Sequence, residues 1–600
     1  MLVLGINDGH NATAAILKDG RIIACASEER FSRLKNDGGY PSAAVDCVLR
    51  QAGVSPGQLD LVGLATRHFS NPIQQKIKRE ASFKVGDYIR EMHEYWKPLL
   101  YENTETNFWE TIKEEPRFKA NVSAYDISFM KNTPKQLWAD EFNKERIRFI
   151  SSRLGISPEK IHIIDHHTGH AYYAYYASPL NHGERAAIVT VDSWGDDCNA
   201  SISIAENGSL KTLRRTNMCM LTTIYRWVTL LLAMRPHEHE YKVMGLAPYA
   251  KSHILEPAYR VFKETLAVDG IDFKWRKKPP DMYFYFRDKF EGIRFDGIAG
   301  ALQLWLEEML AEWIGNILDY TGAHTLYYSG GLSLNVKANK TIAGLNQING
   351  FYVPPSGGDE SLAMGAAFKL ASDHGERPYP LEGAYLGYKI SEEESRAAAQ
   401  PLFSNPEYHF IDNPGDDLIA KAIAEGLILA RCVGAMEFGA RALGNRSIIA
   451  DPSKYENIRI INEKIKFRDF WMPFTPSILD ERLNDYIVNP KNIQADYMTI
   501  AFDSTPLARS QLKAAIHPHD YTVRPQSVNR RINPSFHSLI KAFEKRSGIG
   551  AVLNTSFNLH GSPIICNARG AVEALVKSGL DGLILPGLLI LKRHSGRGLC

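Results

Sequence analysis

The sequence predicts an α/β fold made of two related lobes. A first strand, Leu2–Asn7, runs into a polar turn at Asp8, and two more apolar strands follow, joined by a tight turn at Asp19 and Gly20. The same pattern returns from Ala187 onward. A duplicated hairpin unit with an aspartate after each first strand is typical of an actin-like (ASKHA-type) ATPase module, in which two lobes face one another across a cleft.

The two copies agree at several positions in the same order. The matches are Asn11-Ala12-Thr13 with Asn199-Ala200-Ser201 and Asp19-Gly20 with Asn207-Gly208, at one constant offset. In the second copy we expect the first strand at Ala187–Val191 and the turn at Asp192–Cys198. The alternative is that two unrelated hairpins share common turn residues. We favour duplication because all the matches fall in order.

Length and composition set the class of protein. A chain of 600 residues is too long for one core, so at least two domains are expected. The 70 basic and 68 acidic residues leave +2, which offers no general basic field for a nucleic acid or a membrane. The seven cysteines are scattered and form no C-x-x-C, which fits a reducing compartment. The chain opens on a strand, so we expect no signal peptide, and a cytoplasmic enzyme is the expected class.

Three histidines crowd the segment DHHTGHA at 165–171. On a helix, His166 and His170 share one face, while His167 points elsewhere. The spacing suits chelation, but an H-x-x-x-H pair is weak evidence by itself. The alternative is that these are ordinary, partly buried histidines at the start of a helix.

Two glycine-containing loops give the histidines a context. A strand ending at Ser329 runs into Gly330 and Gly331 and then to Asn335, a pattern that brings backbone N–H groups close to a nucleotide. A second loop places Asp359 before an Ala- and Leu-rich helix, where it is either a helix cap or a ligand. Together with His166, His170 and Asp192, Asp359 would make a set of two nitrogen and two oxygen donors, which suits Fe²⁺, Mn²⁺ or Zn²⁺.

Several long motifs resemble those of the O-carbamoyltransferases that modify antibiotics and nodulation factors. The motifs are GINDGHNATA (5–14), EERFSRLK (28–35), DHHTGHA (165–171), EYKVMGLAPY (240–249), SGGLSLN (329–335), MEFGARALGNRSIIADP (436–452), RPQSV (524–528) and LNTSFN (553–558). The resemblance extends from the first residues to about residue 570. It implies an ATP-dependent enzyme that forms carbamoyl-adenylate from carbamoyl phosphate and then carbamoylates a hydroxyl group of a small molecule or glycoside.

The resemblance also implies two modules. Residues 1–378 would be an actin-like metal- and nucleotide-binding domain similar to the ATPase of tRNA threonylcarbamoylation, with a helical insert at about 70–148. Residues 388–600 would be a YrdC-like α/β module that makes the adenylate. The seam is expected near Arg377–Tyr388, where two prolines and a glycine break the helical pattern. Fe²⁺ is the metal that we expect, with Mn²⁺ or Zn²⁺ as alternatives, and ATP would enter with Mg²⁺.

A site for two phosphorylated substrates needs several fixed cations, and guanidinium groups bind phosphate oxygens bidentately. The expected carbamoyl phosphate and ATP contacts are Arg441, Arg446, Lys466, Arg468, Arg524, Asn554 and Ser556, with Lys35 reaching across from the first module by analogy with the family. Arg441 and Arg446 stand among apolar and small residues, which argues against a solvated charged surface. For the transfer step, His10 is the expected general base, and Asp8 is expected to position the acceptor or the imidazole.

The chain departs from the family pattern at one position. Met472 stands where many relatives carry an arginine just before the P-F-A-P-S segment, which here reads P-F-T-P-S, so one phosphate contact is in doubt and Arg468 is the expected substitute. The insert carries three tryptophans (Trp96, Trp109 and Trp138). It is interpreted either as a lid that recognises the acceptor or as a structural cap.

Other functions were weighed against carbamoyl transfer. A tRNA-threonylcarbamoylation-like enzyme would need a basic surface for RNA, which the net charge does not favour, so we expect no nucleic-acid partner and no membrane partner. Carbamoylation of a hydroxymethylated nucleobase is a further alternative. A regulator with an actin-like fold would have no use for the arginine-rich second half. Twofold symmetric dimers are the commonest assemblies, so a homodimer is the expected state.

Overall fold

The described residues form two related five-stranded sheets, a third sheet of eight strands, and two small sheets of two and three strands. The computed structural model describes residues 1–68, 83–104, 112, 125–466, 468–559 and 561–593. The strands are β1 Leu2–Asn7, β2 Thr13–Lys18, β3 Arg21–Ser27, β4 Leu61–Ala65, β5 Ile161–Ile164, β6 Ala186–Gly195, β7 Cys198–Glu206, β8 Ser209–Thr216, β9 Leu266–Asp269, β10 Asp272–Trp275, β11 Thr325–Ser329, β12 Gly350–Tyr352, β13 Tyr408–Asp412, β14 Leu429–Cys432, β15 Arg446–Ala450, β16 Thr475–Leu479, β17 Ile487–Val488, β18 Phe502–Ser504, β19 Thr522–Val523, β20 Gln526–Val528, β21 Ala551–Ser556, β22 Gly582–Leu585 and β23 Leu588–Lys592.

Helices cover the faces of these sheets and connect their parallel strands. Within the described residues they are α1 Glu29–Ser32, α2 Ser42–Ala52, α3 Val85–Glu91, α4 Lys97–Tyr101, α5 Trp138–Leu154, α6 His166–Tyr176, α7 Leu221–Leu231, α8 Glu240–Leu246, α9 Ser252–Thr265, α10 Phe284–Phe290, α11 Phe295–Thr321, α12 Val336–Ala343, α13 Leu362–Asp373, α14 Glu392–Ala399, α15 Asp416–Ala424, α16 Glu456–Ile461, α17 Leu483–Tyr486, α18 Pro506–Gln511, α19 Pro534–Ser547 and α20 Ala568–Lys577. None of these helices combines the length and the apolar character that a membrane span requires.

The strand order confirms the predicted duplication. The first sheet has the order β3-β2-β1-β4-β5, and the second has the order β8-β7-β6-β11-β12. In each sheet the first three strands pair antiparallel and the last two join in parallel. Each lobe therefore consists of a three-stranded meander extended by two crossover strands, which is the duplicated α/β arrangement expected from the sequence.

The repeated hairpin turns have a simple backbone cause. Both central residues of the β2–β3 turn have positive φ, 49° at Asp19 and 74° at Gly20, and the β7–β8 turn repeats this with 52° at Asn207 and 79° at Gly208. Two positive φ values define the turn type whose twist suits a two-residue hairpin, and Asn-Gly and Asp-Gly favour it. The repeated turns therefore explain why the two sequence copies could be recognised.

The two lobes differ at the turn after the first strand. The first strand of the second copy was expected to end at Val191, but β6 continues to Gly195, and its pairing with β7 shifts register between those two residues. The expected turn at 192–198 is therefore wrong in its bounds. A bulge of this kind redirects side chains locally, and here it affects Asp192.

Helices α6 and α13 pack closely between the two sheets. A Cβ atom on Gly365 would lie 2.0 Å from the carbonyl oxygen of Gly169, and one on Gly5 would lie 1.8 Å from that of Ala363. Only glycine permits such close approach of two backbones. This contact holds α6 against the loop that precedes α13, and these two elements carry the candidate ligands.

The third sheet has a different organisation. Its eight strands have the order β13-β23-β22-β14-β15-β21-β16-β20 and mix parallel with antiparallel pairs. All of them lie between residues 408 and 592, whereas the first two sheets end at Tyr352. The expected seam near Arg377–Tyr388 falls between these two groups of strands.

Only part of the expected helical insert lies within the described residues. Its described segments include α3, α4 and α5, whereas residues 69–82, 105–111 and 113–124, with Trp109, lie outside them. The long helix α5 ends at Gly155, whose φ of 65° forms a left-handed cap. One residue of α5, Arg146, reaches the first turn of the first lobe.

Candidate metal centre and cationic cleft

Four side chains from three separate elements converge between the lobes. His166 and His170 lie on α6, Asp192 lies in the bulge of β6, and Asp359 begins the turn before α13. Helix α6 begins where it does because the side chain of Asp165 accepts a hydrogen bond from the N–H of Thr168 (2.9 Å). The donor atoms of the four converging side chains all lie within 4.8 Å of one another.

The geometry of this set fits a cation. The Nε2 atom of His170 lies 3.5 Å from Asp192 Oδ2 and 3.6 Å from Asp359 Oδ1, and the Nε2 atom of His166 lies 4.0 and 3.8 Å from the same oxygens. Both Nε2 atoms are buried and have no hydrogen-bond partner among the described residues. Buried polar atoms rarely stay unpaired, and two imidazoles with two carboxylates suit a divalent transition metal.

The electrostatics of the set are consistent with this reading. Burial opposes a charge on His170, but its contacts with Asp192 and Asp359 outweigh burial and raise the pKa of the imidazole to about 9. Burial alone would raise the pKa of the Asp192 carboxyl, yet the two histidines and the N–H of Gly331 hold it below its usual range. The carboxylate is thus kept ionised in a buried place.

His167 has a different environment, as its place on the helix predicted. Its Nδ1 atom lies 2.7 Å from the hydroxyl of Thr190, and its Nε2 atom lies 3.3 Å from the carbonyl oxygen of Cys198. Burial lowers the pKa of this imidazole well below its ordinary value, so it stays neutral. It joins α6 to the sheet of the second lobe.

Three glycines shape the pocket, and two of them, Gly330 and Gly331, were expected to contact a nucleotide. A Cβ atom on Gly195 would lie 2.2 Å from Cδ2 of His166, so the ring fits only against glycine. Gly331 donates its N–H to Asp192 Oδ2 (2.8 Å), and Gly330 donates its N–H to Gly357 (2.9 Å). Asn335 caps α12 by accepting from the N–H of Ala338. Gly330, Gly331 and Asn335 were expected to contact a nucleotide, but these groups are engaged in internal bonds that build the site.

Asp8 also departs from its expected role. Both of its oxygens accept from Arg146, at 2.6 and 2.8 Å, and one of them also accepts from the hydroxyl of Tyr125 (2.5 Å). The side chains of Asp8 and Arg146 are both fully buried. Asp8 therefore anchors α5 to the first lobe, and its expected role of positioning an acceptor or an imidazole is corrected. His10, two residues on, is partly exposed and faces His237 with ring centroids 5.7 Å apart.

A cluster of cations occupies the other side of the cleft. Burial lowers the pKa of the Arg524 guanidinium well below its usual value, and the charges of Arg441 and Arg468 lower it further. Burial likewise lowers the pKa of Arg468 to about 10 and that of Arg441. Among the described residues, neither Arg441 nor Arg524 makes a hydrogen bond or an ion pair through its side chain, and Nε of Arg524 is shielded from solvent. Partly buried, unpaired cations that repel one another are typical of a site for a polyanion.

Lys466 completes this cationic cluster. It ends a π-helical turn, Asn462–Lys466, and its ammonium donates to the carbonyl and hydroxyl of Ser556 and to the side chain of Asn558. Burial lowers its pKa well below the usual value, and Arg468 and Lys35 lower it further. Lys35 of the first module is thus near enough to influence Lys466, while its expected contact with the substrates stays a prediction.

Three other expected phosphate contacts have defined partners. The guanidinium of Arg446 is fully buried and donates to the backbone carbonyls of Cys566, Val433, Asn445, Tyr388 and Gly434. Its expected role as a phosphate ligand is therefore corrected to a structural one. The Asn554 amide donates to Ala442, Ser477 and Gln526 behind the cluster, while its oxygen stays unpaired among the described residues. Ser556 keeps its hydroxyl beside Lys466.

Met472 and Arg468 share the place where the sequence departs from the family pattern. Met472 is buried, and Nη2 of Arg468 donates to its carbonyl oxygen (3.3 Å). The guanidinium of Arg468 lies over the ring of Phe474, 4.1 Å from its centroid. Arg468 thus holds its guanidinium beside Met472 and Phe474, and its role as the substitute phosphate contact stays a prediction.

Sequence reasoning missed Glu238 and Tyr241. Glu238 pairs with Lys35 (2.7 Å) and Arg235 (2.7 Å), which holds Lys35 at the cleft. Tyr241 has an electrostatic influence that raises the pKa values of Lys35, Arg441 and Arg468. The sequence did point to this region, because Tyr241 belongs to the EYKVMG motif and Glu238 lies two residues before it.

The loops that lead to the metal-ligand set and to the cationic cluster are in contact. A Cβ atom on Gly439 would lie 2.7 Å from Cβ of Ser356, so the loop that leads to Asp359 touches the loop that leads to Arg441. Arg30 of the first lobe donates to the carbonyl oxygen of Gly439 (2.7 Å). The two related lobes thus hold a ligand set of the kind that binds a metal ion, and the adjoining loop leads to a cluster of cations of the kind that binds an anion.

Comparison with known proteins identifies the family. The family model described as "Carbamoyltransferase N-terminus" matches residues 2–368, and the one described as "Carbamoyltransferase C-terminus" matches residues 420–592. The chain belongs to the carbamoyltransferase family and is a carbamoyltransferase enzyme, as the motifs predicted.

Individual relatives agree with this assignment. The chain is 27% identical to the nodulation protein NolNO of Sinorhizobium fredii, over 97% of this chain and 79% of that protein. It is 30% identical to the 3'-hydroxymethylcephem-O-carbamoyltransferase of Amycolatopsis lactamdurans, over 46% of this chain and 52% of that protein. Component A of the (R)-2-hydroxyglutaryl-CoA dehydratase of Acidaminococcus fermentans is 12% identical over 62% of this chain and 99% of its own, with a TM-score of 0.32. That score is too low to define a fold, which here follows from the strand order.

Proposed function

We propose that this carbamoyltransferase activates carbamoyl phosphate with ATP and passes the carbamoyl group to a hydroxyl of a small-molecule or glycoside acceptor. The observation that carries the proposal is the group of cations formed by the buried Lys466 and the partly buried Arg441, Arg468 and Arg524, of which Arg441 and Arg524 have no anionic partner among the described residues. Carbamoyl phosphate and a triphosphate would together supply the missing negative charge. The relative that acts on a hydroxymethylcephem supports a hydroxyl acceptor.

In the first step, the second half of the chain would form carbamoyl-adenylate and release phosphate and pyrophosphate. Arg441 and Arg524 have free guanidinium forks that can bind phosphate oxygens bidentately, and the charge of Lys466, held by Ser556 and Asn558, would add to the positive field around the phosphates. These groups stabilise the charge that develops on the leaving phosphate. We assign the third sheet to a YrdC-like adenylate-forming module on this basis.

The set His166, His170, Asp192 and Asp359 would hold a divalent metal, with Fe²⁺ proposed first and Mn²⁺ or Zn²⁺ as alternatives. A bound ion would act there as a Lewis acid on the carbamoyl oxygen or on the AMP phosphate. The chain's own contribution is to keep both Nε2 atoms directed at one point and to keep Asp192 ionised.

In the second step, the acceptor hydroxyl would attack the carbamoyl carbon, and AMP would leave. His10 is the proposed base, since it is partly exposed at the cleft and its imidazole makes no hydrogen bond with the described residues. Asp8 is left out of this step because Arg146 and Tyr125 occupy its carboxylate. A neighbouring imidazole, that of His237, lies close enough to share the acceptor with His10.

Isotope exchange separates the two steps. Labelled pyrophosphate should enter ATP only when carbamoyl phosphate is present, and Arg524→Gln should abolish this exchange. His10→Gln should retain the exchange but lower carbamoyl transfer to the acceptor by roughly 10²- to 10⁴-fold, the usual contribution of a general base. Exchange that needs threonine and bicarbonate would instead show a threonylcarbamoylation enzyme, and no exchange at all would overturn the proposal.

A further inference from the structure

Thr66 has an unusual backbone conformation beside the candidate metal centre. It directly follows β4, whose last residue, Ala65, pairs in parallel with Ile164 at the end of β5. Helix α6, which carries the candidate ligands His166 and His170, begins two residues after Ile164, so Thr66 lies next to the start of that helix. Its φ is +69°, a value that a β-branched side chain rarely adopts.

Contacts on both sides of Thr66 hold it in this conformation. Its N–H donates to the carbonyl oxygen of Ile164 (2.9 Å), and its own carbonyl accepts from Nη1 of Arg146 (2.8 Å). Nη2 of Arg146 donates to the carbonyl of Ala65 (2.8 Å). The next two N–H groups of the chain, after Thr66, donate to the carboxylate of Asp196 at 2.7 to 3.0 Å. Strained residues persist where the surroundings over-determine them, and they cluster at functional sites.

This backbone conformation places the Thr66 side chain against the ring of His166. The hydroxyl of Thr66 lies 3.2 Å from Nδ1 of His166. The other ring nitrogen of His166, Nε2, is the buried atom that faces Asp192 and Asp359 without a hydrogen-bond partner among the described residues. A hydroxyl that accepts from Nδ1–H keeps the ring proton on Nδ1 and leaves the lone pair of Nε2 directed at the cation position.

His170 lacks an equally close contact of this kind. Its Nδ1 atom lies 3.5 Å from the hydroxyl of Ser329 and 3.4 Å from that of Ser361, on the long side for a hydrogen bond. His170 is instead fixed by its burial between the sheets, whereas His166 stands at the first turn of α6 beside Thr66. Thr66 is therefore the described residue best placed to orient a ligand ring.

We propose that Thr66 is a positioning residue that fixes the tautomer and the ring orientation of His166, and that the buried Arg146–Asp8 pair holds Thr66 in place for this task. The inference rests on the proposed cation site and adds to it a link that runs from the first turn of the first lobe, through α5 and β4, to the ligand set. The strained backbone of Thr66 and the buried Arg146–Asp8 pair would then both serve to orient the ring of His166.

The test uses the full-length, metal-free protein and Co²⁺ as the probe, with affinity read from the visible absorption of the bound ion. Thr66→Val keeps the shape and the β-branch but removes the hydroxyl, and it should weaken Co²⁺ binding by roughly 10- to 100-fold, the usual cost of losing such a partner. Thr66→Ser restores a hydroxyl and should bind Co²⁺ about as tightly as the parent. The matched control is Thr190→Val, which removes the hydroxyl beside His167 and should leave the affinity unchanged.

A second measurement needs no metal. Selective ¹⁵N labelling of histidine should show the Nδ1–H tautomer of His166 in the metal-free parent, and a loss of that preference in Thr66→Val. A folded Thr66→Val variant that keeps both the parental Co²⁺ affinity and the parental tautomer would overturn the role of Thr66 alone. A parent protein that binds no Co²⁺ would overturn the cation site, and the role of Thr66 with it.

Discussion

The two lobes share one strand order, yet the aspartate that follows β1 and the aspartate in the β6 bulge have partners of different kinds. Asp8 meets Arg146 and Tyr125 in a fully buried cluster, so its charge is neutralised within the fold. Asp192 meets two imidazoles and accepts from the backbone N–H groups of Ser193 and Gly331, and no arginine or lysine pairs with it among the described residues. Asp8 thus anchors a helix, while Asp192 remains directed at the candidate metal centre.

The comparison teaches that a repeated backbone does not repeat its chemistry. The first turn stays tight, so Asp8 points towards the helix that the insert contributes, whereas the bulge in β6 redirects Asp192 towards α6. The second half of the chain shows the same contrast within one segment. Arg446 is satisfied by backbone carbonyls, while Arg441, five residues earlier, makes no hydrogen bond or ion pair with the described residues.

The largest effect is expected from breaking the anchor. Arg146→Met should lower the free energy of unfolding by about 3–5 kcal/mol, because it leaves the Asp8 carboxylate buried without its partner. The double variant Asp8→Asn with Arg146→Met should recover part of this loss, since both charges are then gone. Urea unfolding of the three proteins measures the effect, and an Arg146→Met variant as stable as the parent would show that the pair is not an anchor.

The next effect concerns the other aspartate. Asp192→Asn should reduce both carbamoyl transfer and Co²⁺ affinity by more than the roughly 100-fold that loss of an outer partner costs, because it removes a direct ligand. The amide oxygen can still accept from Gly331, so the metal-free protein should remain folded. Asp197→Asn, at an exposed carboxylate five residues away, is the matched control and should retain activity. Equal activity in the two variants would remove Asp192 from the site.

The smallest expected effect distinguishes the two kinds of arginine. Pyrophosphate at 100 times its dissociation constant should stabilise the parent by about 2.7 kcal/mol. Arg524→Gln should lose about 1.5–3 kcal/mol of that binding energy, the value of a hydrogen bond to a charged group. Arg446→Lys should lower the melting temperature without ligand but keep the shift that pyrophosphate causes. A pyrophosphate shift that disappears in Arg446→Lys and persists in Arg524→Gln would reverse the assignment.

Much of the fold was visible in local patterns. The hairpin turns at Asp19-Gly20 and Asn207-Gly208 need positive φ values, and Gly, Asn and Asp supply them at low cost, so the repeat could be read directly from the chain. The i, i+4 spacing of His166 and His170 likewise predicted one helical face. The end of β6 was missed because a bulge depends on the partner strand and not on its own residues.

The candidate site was predicted in part for the same reason. The four candidate ligands stand in motifs that follow strands or begin helices, so their convergence followed from the expected lobes. The expected uses of Asp8, Arg446 and Asn335 required knowledge of what each side chain touches. Those partners lie 138 residues away for Asp8 and as far as 120 residues away for Arg446, a distance at which sequence spacing carries no information.

The sequence by itself determined the repeated α/β lobes, the carbamoyltransferase family and the four candidate metal ligands, because periodicity, turn residues and long motifs act over short stretches of chain. Only the tertiary structure decided which charges are neutralised and which remain free. A charge is buried or exposed, paired or unpaired, according to every element packed around it, and that environment exists only once α5, the β6 bulge and the third sheet are in place.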